Sequence, residues 1–458
     1  MKPEIDAQDT KGVERPATSD REMLETLQLD TYDYFLRHAD PTTGLIADSN
    51  RAGSPASITA TGFGLSILCV AVERGWMSRA AAIARALTVL RFLTKSQQGP
   101  EPDASGHHGF YYHFLDMKTG RRSGQCELST IDTGFLIAGV LTVASYFDGD
   151  DSHQKELRDL ADSVYRRVDW VWACNGTANL SHGWSPEHGF LEATWSKGYC
   201  EALLLYILAL GSPTFPLDPA GYQMWTSTFE RRTFYDLEYF FAAPLFIHQL
   251  SQMWIDFRGI RDDQNRALDC DYFENSRRAT VAQQRYAIEN PLGFAHYSKN
   301  MWGLTACNGP GPATKIIDGV SREFFGYVAR GAPDGIDDGT IAPWAVVASL
   351  PFAPTIVCET VRHAIEQLEL KGRDGAGFDA SFNPTFPETT ANRHGWVAAH
   401  RLGLNEGPIV LMIENHASGL IWNLAERSHY IVDGLRRASF RGGWLDAGVR
   451  AQATGLPR

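Results

Sequence analysis

Apolar residues recur at three- and four-residue steps along most of the chain, as in Ile83-Leu87-Leu90-Leu93 and Leu157-Leu160-Val164-Val168. This is the period of helices with one buried face. It predicts helices over 21–38, 60–75, 79–96, 131–147, 154–174, 194–210, 235–256, 265–289, 317–330, 342–350, 354–370 and 407–425. Alternating patterns are few, and 109–115 and 409–413 are the best short strand candidates. Residues 1–20 are polar and rich in charge and proline, which predicts a disordered tail. No Ser-, Gly- or Pro-rich linker divides the chain beyond that tail, so 21–458 reads as one domain. About a dozen helices joined by loops of uneven length, without sustained heptads, fit an all-α closed double ring of hairpins, the (α/α)6 toroid. Short strands would then be confined to its loops. No fixed period supports the rival, a solenoid.

Composition narrows the function. The 458 residues carry a net charge of −12 and no Lys/Arg block, which argues against nucleic acid as partner. The longest apolar run, Phe135–Phe147, is too short to span a bilayer and is interrupted by Thr142 and Ser145, so no membrane association is expected. The first 22 residues hold no signal-peptide core. The seven cysteines are odd in number and form no Cys-x-x-Cys pair, which disfavours disulfides and zinc. Together these favour a cytoplasmic setting, with a periplasmic one open if the chain was trimmed. Phosphate-binding loops, His-Glu-x-x-His and Gly-x-Ser-x-Gly are missing. No cofactor and no metal are expected, and the oligomeric state is unreadable.

What remains is carboxylates among aromatic and small residues. Glu127 precedes Ser129-Thr130-Ile131-Asp132 at the start of the 131–147 helix, where Ser129 and Asp132 also read as a capping box. Asp116 stands in the preceding loop. Glu201 opens an almost wholly apolar helical run, so burial should raise its carboxyl pKa; its alternative is an acid favoured by a helix N-terminus. Two carboxylates facing each other across a cleft are what glycoside hydrolysis requires.

The run Glu201-Ala202-Leu203-Leu204-Leu205-Tyr206 through Thr214 resembles the signature of glucoamylase-like glycoside hydrolases, the group containing bacterial endo-β-1,2-glucanases and, more distantly, the transglycosylating domain of cyclic β-1,2-glucan synthases. The resemblance extends through Gly44–Asp48, Ala60–Leu65, Glu127–Thr133, His248-Gln249 with Trp254–Gly259, Trp302–Ala306, Asp338–Pro343 and Gly407–Asn415. It implies an (α/α)6 fold, no metal, and β-1,2-linked glucan or its oligosaccharides as substrate. Residue by residue it implies Glu201 as general acid, Glu127 as its partner, Asp132 as a sugar-binding or supporting acid, and Asp116 as a looser match. An inverting hydrolase with direct water attack is the leading expectation. A retaining transglycosylase, an exo-acting hydrolase of another linkage, and a glycan-binding protein with a decayed site are the alternatives.

Trp195, Tyr199 and Trp302 are candidate stacking platforms, and His248, Trp254, Asp256 and Arg258 candidate sugar contacts. Each serves equally well as core, or, for Asp256 and Arg258, as a loop-fixing ion pair. Two departures from the family pattern stand out. Cys307-Asn308 replaces an expected acid, and Asn405-Glu406 precedes Gly-Pro where a Gln is usual. Glu406 is thus a third acid candidate, or a solvated loop acid before a buried strand.

Overall fold

The computed structural model describes residues 19–370, 377–387, 395–398 and 400–447. The tail predicted over 1–20 therefore lies almost wholly outside the described residues. The protein is predominantly helical: α1 (Asp20–Arg37), α2 (Ile58–Glu73), α3 (Arg79–Lys95), α4 (Thr130–Tyr146), α5 (Ser152–Arg166), α6 (Leu203–Leu210), α7 (Pro219–Thr226), α8 (Leu245–Gln249), α9 (Asp263–Leu268), α10 (Tyr272–Glu289), α11 (Pro343–Ala348), α12 (Pro354–Glu366), α13 (Gly403–Ser418), α14 (Leu420–Arg427) and α15 (His429–Arg437). None of these is long and apolar enough to cross a membrane.

The helices fall into two kinds. α2, α4, α6, α11 and α13 are buried on nearly every side. α3 and α5 bury one stripe, which is why their apolar residues recur every three or four positions. The buried set packs in sequence, α4 on α2 and α6, α2 on α13, α13 on α11, and α11 on α8. Ser251, just after α8, joins the chain back to α6 by accepting from Leu204 N (3.1 Å) and donating to Glu201 O (2.7 Å).

Glycines allow the tightest of these approaches. Gly139 of α4 lies against Gly62 of α2, and a Cβ on Gly139 would stand 2.0 Å from the Gly62 carbonyl oxygen. That atom is backbone and cannot swing aside. Gly139→Ala is expected to cost about 3 kcal/mol or more, read as a lower midpoint in denaturant unfolding.

Several elements differ from the sequence reading. The helix predicted over 317–330 is largely a hairpin, 313–317 pairing with 320–324, and the one predicted over 235–256 begins in a hairpin, 231–234 with 237–240, and is helical only over 245–249 and 251–253. Both turn on two residues with positive φ, Tyr235-Asp236 and Asp318-Gly319. Asp-Gly between β-branched residues is a strong hairpin signal, and it outweighs the helical spacing there. A five-stranded sheet (106–107, 110–112, 128–129, 183–185, 189–190) adds more β-structure than an all-α fold with minor strands. The strand predicted over 409–413 is helical and lies inside α13; a run buried all round shows no period to tell helix from strand. The strand predicted over 109–115 is present as 110–112 and 114–115. The segment 194–202 is loop, with Gly198 at positive φ, and α6 starts only at Leu203. The helix predicted over 265–289 breaks at Asp269, which adopts a left-handed conformation. Helices α7 and α15 lie outside the predicted helical segments. All seven cysteines are free.

Candidate active site

The N-terminal end of α4 and the segments before α2, α4 and α6 carry the acids that come together. Ser57 and Ser129 cap α2 and α4, each accepting from a backbone N–H three residues on. The strand pair 56–57/114–115 ties the segment before α2 to residues 113–115. Thr59, in the first turn of α2, donates to Asp132 Oδ1 (2.5 Å), and Ser129 donates to Asp132 Oδ2 (2.5 Å). Asp132 is thus buried and held by hydroxyls from two helices.

Glu127 lies beside it, its side chain 35% exposed. His113 Nδ1 is 2.9 Å from Glu127 Oε1 and 3.7 Å from Asp132 Oδ2. Desolvation would raise the Glu127 carboxyl, but the hydrogen bond and charge of His113 outweigh it and hold it below the ordinary glutamate value. Asp48 joins from the segment before α2, where Gly403 N donates to its carbonyl oxygen (2.8 Å). Burial pushes its carboxyl up, with His113 pulling down and Asp132 up.

Glu201 sits two residues before α6. Burial pushes its carboxyl up to about 7, and the charge of Asp132 adds to the shift. The site thus holds one acid inclined to keep its proton near neutral pH and another inclined to lose it. Such a split assigns acid and base roles.

Tyr327 is 58% exposed and next to Val328, which pairs with Cys307. Its phenol is pushed up by desolvation and by Cys307, Asp48, Asp132 and Glu201, which places its hydroxyl in the field of the acids. The loop is stiff, because fully buried Arg330 binds Asp338 (2.7 and 2.8 Å) and the carbonyls of Cys307 and Phe325 (2.7 and 2.9 Å). Asn308 follows Cys307, and its carbonyl accepts from Ser381 Oγ (2.6 Å). Its amide contacts His400 Nε2 (3.1 Å), and His400 Nδ1 meets the Arg51 guanidinium (2.7 Å).

The other sequence candidates lie elsewhere. Asp116 is exposed and closes its own turn by accepting from Lys118 N and Thr119 N and Oγ1, which lower its carboxyl. Trp195 is buried, donating to Thr130 Oγ1 (3.0 Å) and stacked on His182. Tyr199 stacks on Tyr272, Trp254 donates to Ser66 Oγ (3.0 Å), and Trp302 donates to Thr360 Oγ1 (2.9 Å), all in the core. His248 is buried, bonded to the Ala242 carbonyl, and burial lowers it to about 4. Asp256 and Arg258 form a two-pronged ion pair, the guanidinium lying over Trp422. Glu406 is not a solvated loop acid: it lies in the first turn of α13 and is 1% exposed. These aromatic residues are large and apolar, and the family motifs in which they occur serve packing here.

His113, Asp48, Tyr327 and the Arg51–His400 pair were not singled out from the sequence. His113 carried one available signal, as a polar residue in an otherwise aromatic strand. Among the described residues His113, Glu127 and Asp132 are a group whose potential metal-ligand atoms lie within 4.8 Å of one another. Their hydrogen bonds to one another, to Thr59 and to Ser129 account for that closeness.

The family model described as "Putative glucoamylase" matches residues 194–429. An exo β-1,2-glucooligosaccharide sophorohydrolase (non-reducing end) of Parabacteroides distasonis is 26% identical over 454 residues and 92% of this chain; the chain spans 58% of that relative's length. The structure of a putative glucoamylase from Bacteroides uniformis superposes with TM-score 0.81 at 30% identity, over 94% of this chain and 100% of the other. The endo-β-1,2-glucanase of Chitinophaga pinensis, in complex with sophorotriose and glucose, gives 0.80 at 26% identity, over 93% and 100%. The family match over more than half the chain, together with these superpositions, establishes that the protein belongs to the glucoamylase-like family of glycoside hydrolases.

Proposed function

We propose that the protein hydrolyses β-1,2-glucan or its sophoro-oligosaccharides by inverting acid–base catalysis. The observation that carries this reading is the split between Glu201, which burial keeps protonated to about pH 7, and Glu127, which His113 keeps ionised. Glu201 protonates the glycosidic oxygen as the C1–O bond breaks. Glu127 takes a proton from the water that attacks C1 from the opposite face, and positive charge develops at the anomeric centre between them. Asp132, with both oxygens engaged by hydroxyls, supports the pair, and Asp48 and Asn308 line the cleft. Tyr327 offers an aromatic face to the sugar.

The ring of α2, α4, α6, α8, α11 and α13, backed by α1, α3, α5, α10, α12 and α15, is what the inner and outer layers of an (α/α)6 toroid would supply. The N-termini of the inner helices would then form the mouth. The β-1,2 linkage is supported by the sophorohydrolase and endo-β-1,2-glucanase named above.

The test is product analysis on linear and cyclic β-1,2-glucan and defined sophoro-oligosaccharides, with β-1,3- and β-1,4-glucans and starch as controls. Short β-1,2-linked products with an inverted anomer, read by proton NMR in the first minutes, are expected. A ladder of sizes would mark endo cleavage, and sophorose alone exo cleavage. Turnover confined to another linkage would refute the substrate, and a retained anomer the direct attack by water.

A further inference from the structure

We infer that His113 is a positioning residue that acts through Glu127: its ring, held between Glu127 and Asp132, supplies the positive charge that keeps the water-activating carboxylate ionised beside a protonated Glu201. This rests on the roles proposed above for Glu127 and Glu201.

The geometry is built rather than incidental. His113 N donates to the Glu127 carbonyl (2.9 Å), and Ile58 N at the start of α2 donates to the His113 carbonyl (3.4 Å). The ring is therefore fixed where the strand before α4 meets the start of α2, with Nδ1 against Glu127 Oε1.

Three carboxylates face the ring from three elements. Glu127 comes from the strand before α4, Asp132 from the first turn of α4, and Asp48 from the segment before α2. Of the neighbouring cations, Arg122 is already committed to Glu187, at 2.7 and 3.1 Å. Cys126, beside Glu127, is pushed up by burial and remains a neutral thiol. Glu201 enters through its interaction with Asp132. His113 is thus the charge that offsets this group of acids. Burial works to lower its imidazole, yet Asp132, Glu127 and Asp48 outweigh burial and push it up to about 9.

Removing that charge leaves Glu127 half-buried among other carboxylates. Desolvation and like-charge repulsion then favour its protonated form, which cannot accept a proton from water. Glu201 is governed by burial and, among charges, by Asp132, so its titration should hardly move. The consequence is directional: loss of His113 shifts the acidic limb of the activity profile and leaves the alkaline limb in place.

Two measurements test this. In the first, kcat/KM for linear β-1,2-glucan is followed from pH 4 to 9 for wild type, His113→Gln and His113→Lys. His113→Gln is expected to move the acidic limb up by about one unit or more, a loss that approaches roughly 10-fold at the acid end of the range and shrinks toward pH 7. His113→Lys, which restores a cation, should return the limb toward its original position. A His113→Gln profile of wild-type shape, scaled down equally at every pH, would overturn the inference.

The second measurement needs no activity. In wild-type protein labelled with 15N-histidine, the ring of His113, assigned by its absence in the Gln variant, should stay protonated through pH 8. Titration at or below the ordinary histidine value would overturn the inference, even if the variants fail to fold. Absence of any β-1,2-glucan turnover would instead sink the functional reading while leaving this titration interpretable.

Discussion

Glu201→Gln should retain the fold and lose roughly 10³-fold or more in kcat on β-1,2-glucan, with little change in KM, because an amide cannot donate the proton that the leaving oxygen needs. Retention of the fold is expected because burial already favours the neutral form of Glu201, and glutamine is neutral and of the same shape. The loss should depend on the leaving group. An aryl β-sophoroside with an acidic phenol departs without protonation, so the variant should cleave it at close to the wild-type rate. Near-wild-type turnover of the natural glucan would show that another group is the acid.

The wild-type pH profile follows from the same group. Glu201 acts in its protonated form, so activity should fall about tenfold per unit as pH rises beyond its value of about 7. On the acid side the relevant group is Glu127, which must be ionised. Its carboxyl lies below the ordinary glutamate value, so activity should persist well below pH 5. A profile whose alkaline limb lies near 9 in wild type and Glu201→Gln alike would exclude this assignment.

Glu127→Gln is expected to give the second large loss, roughly 10²- to 10⁴-fold, by removing the proton acceptor for water. Activated leaving groups should not rescue it, in contrast to Glu201→Gln. Azide should rescue it, since that nucleophile needs no deprotonation, and the product should be the glycosyl azide of inverted configuration. Rescue giving the retained configuration would show that azide opens a glycosyl-enzyme formed on another carboxylate, so that Glu127 is the acid/base of a retaining enzyme. Asp132→Asn should also be impaired, with a readout that separates it from Glu127. Its partners Thr59 and Ser129 still find an acceptor in the asparagine carbonyl, so folding should survive. The loss of its negative charge should lower the Glu201 pKa and move the alkaline limb down, as the sign of the Asp132 contribution requires.

The elements that were readable from the sequence are those whose evidence is local. α1, α3 and α12 carry an apolar stripe and begin at a capping serine or an N-terminal proline, and each end stands within four residues of its predicted position. Glu201 was readable because eight consecutive residues of α6 after Ala202 are buried, and so apolar a run signals desolvation of the acid before it. Glu127 and Asp132 were readable because Ser-Thr-Ile-Asp marks a helix start, and a residue just before a helix start stands at its N-terminal end.

The misreadings have equally specific causes. The 317–330 segment satisfies helical spacing, but Asp318-Gly319 permits the left-handed turn that closes a hairpin. Trp195, Tyr199, Trp254 and Trp302 share with true sugar platforms the same large apolar rings, and sequence does not say which side of the inner helices a ring faces. Here their polar atoms are taken up by Thr130, Ser66 and Thr360, or their faces by Tyr272. Tyr327 escaped notice because its position depends on the buried Arg330–Asp338 pair, eight residues apart, which fixes the loop.

By itself, then, the sequence determined that the chain is mainly helical, which acids stand at helix starts, and which family it belongs to. These properties follow from local periodicity, capping and residue order. Only the tertiary structure decided that His113 meets Glu127 and Asp132, that Thr59 of one helix holds an acid of another, and that most of the conspicuous aromatics are core. Ionisation is set by desolvation and by charges a few ångströms away in space. The groups that tune Glu127 and Glu201 are 14 and 69 residues distant in the chain, and only folding brings them into range.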